Sequence, residues 1–251
     1  MPNDDERPES APAENAEPAG PGSASPTFSE SFAAAARKAG LGAVAEGEPL
    51  TANTLLAAIG GVRGIIEAVL PGLLFLIVYT ITRDLVLSVI APVVVGIVLA
   101  GIRLAQHQSV TQALSGLFGI AACAVLALLS GRASDYYVPG FWIDAAFGVP
   151  LLISVFVGWP LLGLAIGYLM GDGTAWRSNR AKRRVMQIIT LCWVGLFALR
   201  LLVQLPLYLA GNVEALGATR LIMGVPLYGL LLIVTWLLAR SVYPRHVADP
   251  A

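Results

Sequence analysis

An all-α fold, a polytopic transmembrane helix bundle of about six spans, is predicted by three observations. The 251-residue chain is 57% hydrophobic and only 13% charged, against roughly 45–50% apolar and 25% charged residues in soluble domains. From Ile65 onward the apolar residues come in continuous runs, and about 20 such residues cross a hydrocarbon core. The runs do not alternate in polarity, which disfavours a β-barrel. Backbone groups in lipid must be satisfied within their own segment, so the runs are read as helices.

Taken in order, residues 1–31 are rich in Pro, Ala, Glu and Ser. Such a composition buries too little apolar surface to offset its ordering entropy, so a disordered acidic tail is expected. The tail opens with Asp4, Asp5 and Glu6, unlike a secretory signal, which opens with basic residues followed by an apolar stretch. Residues 32–62 form a candidate amphipathic segment at the membrane surface. The transmembrane domain is placed at 63–243 with spans near 65–81, 85–101, 112–130, 145–170, 185–209 and 221–239, and a C-terminal tail at 244–251. Only Thr82-Arg83-Asp84 parts the first two spans. An Arg and an Asp in mid-membrane would be costly, so a tight turn is predicted there. Arrangements of four or five spans are the alternatives.

Lys and Arg placement predicts orientation. Six spans put Arg63, Arg103, Arg177, Arg180, Lys182, Arg183, Arg184, Arg240 and Arg245 on one side, and Arg83, Arg132 and Arg220 on the other. Both termini and the 171–184 loop are therefore expected in the cytoplasm, with the protein a multi-pass component of the cytoplasmic membrane. The basic loop cluster has a second reading as a contact for anionic lipid. On the opposite side the 131–144 loop carries Tyr136, Tyr137, Phe141 and Trp142, rings that settle at headgroup level.

Ionisable residues inside spans are the functional candidates, because lipid makes them expensive. Glu67 lies about one turn into the first span and Arg200 in the outer half of the fifth. Trp193, Phe197, Arg200, Gln204 and Tyr208 recur at helical spacing, which puts them on one stripe facing the bundle interior. Arg220 opens the sixth span. Asp84, Asp135 and Asp144 are available partners for these cations, with Asp144 preferred for Arg200, while Glu67 pairs with Arg103 or Arg63. Together Glu67, Arg103, Asp144, Arg200, Gln204 and Arg220 form either a polar cavity or ion path, or a set of structural ion pairs that fix helix packing.

Proline supplies a second signal. Pro71, Pro92, Pro150, Pro160, Pro206 and Pro226 fall in or at the spans, where each removes a backbone hydrogen bond and kinks its helix. Trp159-Pro160, placed in the middle of the fourth span, is the candidate hinge, since broken helices expose backbone to transported solutes. Gly163, Gly167 and Gly171 repeat every four residues, as Gly60 and Gly64 do, a spacing that lets helices pack closely.

Catalytic templates are missing: the sequence has no phosphate-binding loop, zinc-protease motif or nucleophile elbow. No catalytic residues and no enzyme activity are expected. Cys123 and Cys192 lie in apolar runs as small hydrophobes. No Cys/His cluster has metal-ligand spacing, so no metal or other cofactor is expected. The formal net charge is +0, which offers no basic field for nucleic acid. The expected partners are the lipid bilayer and either a second copy of the chain or other membrane proteins. A faint internal echo links Arg103-Leu104 with Gln106 to Arg200-Leu201 with Gln204. If it is a duplicated three-helix unit, its halves are inverted.

Several segments carry a family resemblance: Gly60-Gly61-Val62-Arg63-Gly64, Leu70-Pro71, Ser130-Gly131-Arg132-Ala133, Gly140-Phe141-Trp142, Trp159-Pro160-Leu161, Trp176-Arg177, Val203-Gln204, Leu207-Tyr208 and Met223-Gly224 with Pro226-Leu227. From about Leu55 to Val242 the chain resembles the actinobacterial membrane family known as domain of unknown function 3159. The resemblance implies a multi-span protein of the cytoplasmic membrane in a Gram-positive, high-GC bacterium, with no established activity. That family is distantly similar in layout to the intracellular septation proteins, a likeness of fold that assigns no function. The leading functional expectation is a small transporter or permease-like protein with a polar interior. The alternative is a non-transporting envelope or scaffold protein.

Overall fold

A computed structural model of the chain describes residues 61–106 and 110–243. The expected tails at 1–31 and 244–251, residues 32–60 of the surface segment, and His107, Arg245 and His246 lie outside the described residues. Eight α-helices make up the described fold: α1 Gly61–Thr82, α2 Leu85–Ala105, α3 Val110–Ser130, α4 Val138–Phe156, α5 Leu161–Leu169, α6 Arg180–Leu209, α7 Val213–Ile222 and α8 Val225–Val242. Short 3₁₀ turns at Ala133–Tyr137 and Ala175–Ser178 precede α4 and α6. Five stretches are long and apolar enough to cross a membrane: Arg63–Thr82, Leu85–Ala105, Ala133–Phe156, Arg180–Leu209 and Val213–Val242. A sixth, Leu114–Ser130 in α3, is shorter, near the lower limit of about 17 residues. The protein is therefore an all-α transmembrane bundle.

Local chemistry places the breaks. Arg83 adopts a left-handed φ of 57°, and the Asp84 carboxylate caps α2 by accepting from Leu87 N at 3.0 Å. Two residues thus reverse the chain between α1 and α2, and the expected tight turn is there. Asn179 and Asn212 cap α6 and α7 in the same way, satisfying N–H groups that a helix start leaves open. The helices pack as two antiparallel sets, α1 with α2 and α2 with α3, then α4 with α6 and α6 with α8. Arg83 bonds Glu214, Tyr208 bonds Asp135 and Phe75 stacks on Tyr136. These contacts gather the ends of α1, α3 and α6 and the starts of α2, α4 and α7 at one end of the bundle, here the far end. The basic loop and Arg103 lie at the other, the basic end.

Three sequence expectations about the spans and the tyrosine loop are corrected, and a fourth, on Gly171, follows below. The fourth span is not a continuous helix over 145–170. It starts at Val138 and ends at Phe156, and α5 follows after a break at residues 157–160. At nine residues α5 is about 14 Å long, far short of a ~30 Å hydrocarbon core. Trp159-Pro160 therefore sits not in mid-span but at the basic end, where the Arg177 guanidinium lies 3.4 Å over the Trp159 ring. Nor does the sixth span begin at Arg220. It is split into α7 and α8 at Met223-Gly224, with Pro226 in the first turn of α8, a position where a missing N–H costs nothing. Last, Tyr136 and Tyr137 do not face outward but are buried in protein. The Ala133–Tyr137 turn folds into the bundle, and its rings meet Phe75, Val89, Ala127 and Leu216 in the largest core cluster. Only Trp142, 72% exposed, points outward as expected.

Gly163 and Gly167 pack closely: a Cβ at Gly163 would press on Met186, and one at Gly167 on the Trp176 ring. Gly171 does not share that role. It has a φ of 71° and open space around it, which makes it the left-handed residue ending the α5 region. Beyond it Asp172 accepts from Lys182 Nζ and from Tyr243 Oη, each at 2.8 Å, clasping the basic loop to the end of α8. These two donors hold the Asp172 carboxyl below its ordinary range, while burial and the adjacent carboxylate raise the Tyr243 hydroxyl. A carboxyl lowered by folding adds stability above its unfolded value of about 4, and the gain is lost as pH falls through the lowered value. Asp172→Asn should therefore lower the thermal midpoint in detergent by a few degrees at neutral pH. The difference from the parent protein should close as pH drops below about 4. A difference that stays constant down to about pH 2 would mean that the clasp does not depend on the carboxylate.

Candidate functional site

Two polar clusters lie inside the bundle, one toward each end. The basic-end cluster joins α1 to α2. Glu67 Oε1 accepts from Arg63 Nε at 2.7 Å, and its other oxygen takes two guanidinium bonds from Arg103, one from Nε at 2.7 Å. Arg63 also donates to Gln106. Glu67 thus pairs with both cations that the sequence offered. The cluster borders a cavity of about 280 Å³ between α1, α2 and α3, bounded also by Pro71, Gly96, Ser115 and Gly116.

The far-end cluster is more deeply buried. Asp144 on α4 is 2% exposed, Arg200 on α6 6% and Gln204 0%. Arg200 Nη1 stands 3.5 Å from Asp144 Oδ1 and donates to Tyr228 Oη at 2.8 Å, with the Tyr228 ring 5.2 Å from its guanidinium carbon. Arg220 reaches in from α7, its Nη1 3.3 Å from both the Tyr137 carbonyl and Gln204 Oε1. That reach needs Gly140, since any Cβ there would coincide with the Arg220 guanidinium. The break before α8 serves the same end, because it lets a short helix aim Arg220 inward. The Trp193–Tyr208 stripe faces the interior as a unit. Phe197, Arg200 and Gln204 are buried, Trp193 bonds Thr235 at 3.0 Å, and Tyr208 bonds Asp135 at 2.7 Å.

This cluster borders a second cavity of about 270 Å³, whose wall includes Gly72, Cys123, Tyr137, Arg200, Arg220 and Tyr228. Ala68 lines both cavities, so the two adjoin along α1 beside Glu67. The six candidate residues therefore fall into two groups, Glu67 with Arg103 and Asp144 with Arg200, Gln204 and Arg220. Trp159 and Pro160 join neither group.

Tyr137, Gly140 and Tyr228 belong to the far-end site, yet the sequence marked Tyr137 only as a headgroup ring and Gly140 only within a family segment, and it singled out neither Tyr228 nor the nearby Glu214, which pairs with Arg83. An aromatic residue in an apolar run carries no signal of its own, and Glu214 becomes a partner only once α7 is recognised as a separate helix. Of the other acids offered as partners, Asp84 caps α2 and Asp135 takes the Tyr208 hydroxyl. Both cysteines are free, and among the described residues no group of His, Cys, Asp and Glu is placed to hold a metal ion.

The two clusters occupy related positions. Glu67 and Asp144 are each the seventh residue of their helix. Each binds an arginine in the C-terminal half of the next long helix, Arg103 of α2 or Arg200 of α6. Because α1 starts at the basic end and α4 at the far end, the two arrangements run in opposite directions.

The packing of Arg220 on Gly140 is directly testable. Gly140→Ala should displace the guanidinium and cost about 1–3 kcal/mol, as overpacking does. The same change in an Arg220→Ser background should cost measurably less, with a coupling above about 0.5 kcal/mol. Equal costs in both backgrounds, read from unfolding in detergent, would show that the two positions do not meet.

No curated protein and no solved structure matches the chain. Residues 59–246 match the family described as protein of unknown function (DUF3159), and the chain belongs to that family.

Proposed function

We propose that this protein is a small transporter or permease-like protein of the cytoplasmic membrane, passing a polar solute between its two half-open cavities. One observation carries the reading: two acid–arginine clusters, each beside a cavity, stand toward opposite ends of oppositely directed helix sets, with Ala68 lining both cavities. Inverted halves around a central site are the architecture by which many transporters alternate access. Charged groups inside a bundle are expensive to keep, and two cavities of this size each have room for several waters at about 30 Å³ apiece. The positive-inside bias of Lys and Arg supports a cytoplasmic basic end.

A non-transporting scaffold is the second reading. It draws on α3, where Gly119 has open space in place of a side chain and Phe118 and Leu129 are exposed, a face that a second helix could cover.

Water access separates the two readings. With Cys192→Ala, Cys123 becomes a single thiol beside the far-end cavity. Gly116→Cys, in a background lacking both native cysteines, reports on the basic-end cavity. Transport predicts that a membrane-impermeant thiol reagent labels Cys123 from outside the cell and Gly116→Cys from inside, the latter in inverted vesicles. Failure of both sites to react in the native membrane would leave the scaffold reading standing. Orientation is tested separately by reporters inserted after Gly131 and after Ser178, predicted to read outside and inside. The opposite pattern would reverse the topology.

A further inference from the structure

We infer that the far-end cavity is a binding site for a small oxyanion carrying a single negative charge, of the carboxylate class. The inference rests on the transport reading only for the cavity's being reachable from water.

Charge balance is the first argument. Arg200 and Arg220 both line the cavity, and arginine keeps its proton in proteins. Against these two positive charges the cluster sets one carboxylate, Asp144. The neighbouring acids have cations of their own: Glu214 pairs with Arg83, and Asp135, which accepts from Tyr208, has Arg132 beside it. The enclosed group therefore carries an excess of one positive charge. Buried ions cost several kcal/mol each unless compensated, so an anion in the cavity would complete the cluster. A monoanion brings the sum to zero, whereas a dianion would leave an unbalanced negative charge in the same place.

Unused donors are the second argument. Arg200 Nε, Tyr137 Oη and Gln204 Nε2 are buried donors with no hydrogen-bond partner, and one acceptor of the cluster, Asp144 Oδ2, is unpaired as well. Arg200 and Tyr137 line the cavity, and Tyr137 is only 3% exposed. Buried polar groups left unpaired are uncommon and costly. The two that belong to cavity-lining residues, Arg200 Nε and Tyr137 Oη, can both donate, whereas Asp144 does not line the cavity, so the unpaired lining groups complement an acceptor-rich ligand. A planar guanidinium edge matches a carboxylate with two parallel bonds. Val69, Gly72, Leu221 and Val225 also line the cavity, and this apolar lining suits a short hydrocarbon tail. The volume of about 270 Å³ admits an anion of a few heavy atoms.

The test uses the full-length protein in detergent, with acetate and propionate as probes, nitrate and chloride as inorganic monoanions, and sulfate at matched ionic strength. The expected result is a saturable rise in thermal midpoint with the two carboxylates, absent with sulfate, together with slower labelling of Cys123. Nitrate or chloride acting as strongly as the carboxylates would overturn the assignment to the carboxylate class. An equal response to sulfate would overturn the site. Arg220→Gln should abolish the response. Should that variant fail to fold, Tyr137→Phe decides, because it keeps the stacked ring and removes only the hydroxyl. Its affinity for acetate should fall about tenfold, and an unchanged affinity would count against the proposal. The two readings fail separately. Labelling of both cavities with no carboxylate response sinks the anion site and leaves transport, whereas a carboxylate response without labelling of Gly116→Cys leaves the site and sinks the path across Ala68.

Discussion

A guanidinium surrounded by hydrocarbon has to be answered by the protein itself, and the far half of this bundle is built around answering two of them. Arg200 is enclosed by Asp144 from α4 and Tyr228 from α8, which locks three crossing segments together at one level. Arg220 is answered by a backbone carbonyl at Tyr137 and an amide at Gln204. Both solutions demand special geometry. The first needs α4 to lie flush on α6, where Gly148 gives way to Phe197. The second needs Gly140, a helix interrupted at Gly224, and a turn of chain folded into the core.

That turn, Ala133–Tyr137, explains much of the packing at the far end. Its tyrosines stack on Phe75 at 3.9 Å and edge-on at 5.6 Å, contacts worth about 0.5–1.5 kcal/mol beyond the area they bury. Protein surrounds this 3₁₀ turn, and Tyr136 and Tyr137 also line the far-end cavity. The basic end is organised differently. Its helices finish in shorter pieces, with α5 and the Trp176 turn folded together and cations laid over Trp159 and Tyr243. Guanidinium and ammonium groups on aromatic faces suit a layer where one side of each ring is dry and the other wet.

Much of this could be read from residue order. Span number follows from hydropathy because lipid leaves no other way to satisfy backbone. The tight reversal at Arg83-Asp84 follows from the cost of charge in mid-membrane. The Arg200–Asp144 pairing follows from burial cost and the shared face of α6, since few acids exist to answer a cation there. The interruptions were harder to read. Residues 213–242 are apolar enough throughout to pass for one helix, and what splits them is the demand of Arg220 for partners on another segment. The tyrosine turn was misplaced for a similar reason. Aromatic rings near a span end favour the headgroup layer by default, and only the presence of Phe75 on a neighbouring helix draws them inward. The Trp159-Pro160 break was visible as a break, but its depth depended on where α4 begins, which hydropathy alone set seven residues too late.

The central claim is that Asp144 and Arg200 hold each other's charge inside the bundle. A double-mutant cycle on Asp144→Asn and Arg200→Met, followed by reversible unfolding in detergent, measures it most directly. Each single change should cost about 3–5 kcal/mol by stranding the opposite charge. The pair together should cost less than the sum by more than about 1 kcal/mol. Single changes that cost little and add without coupling would contradict the account.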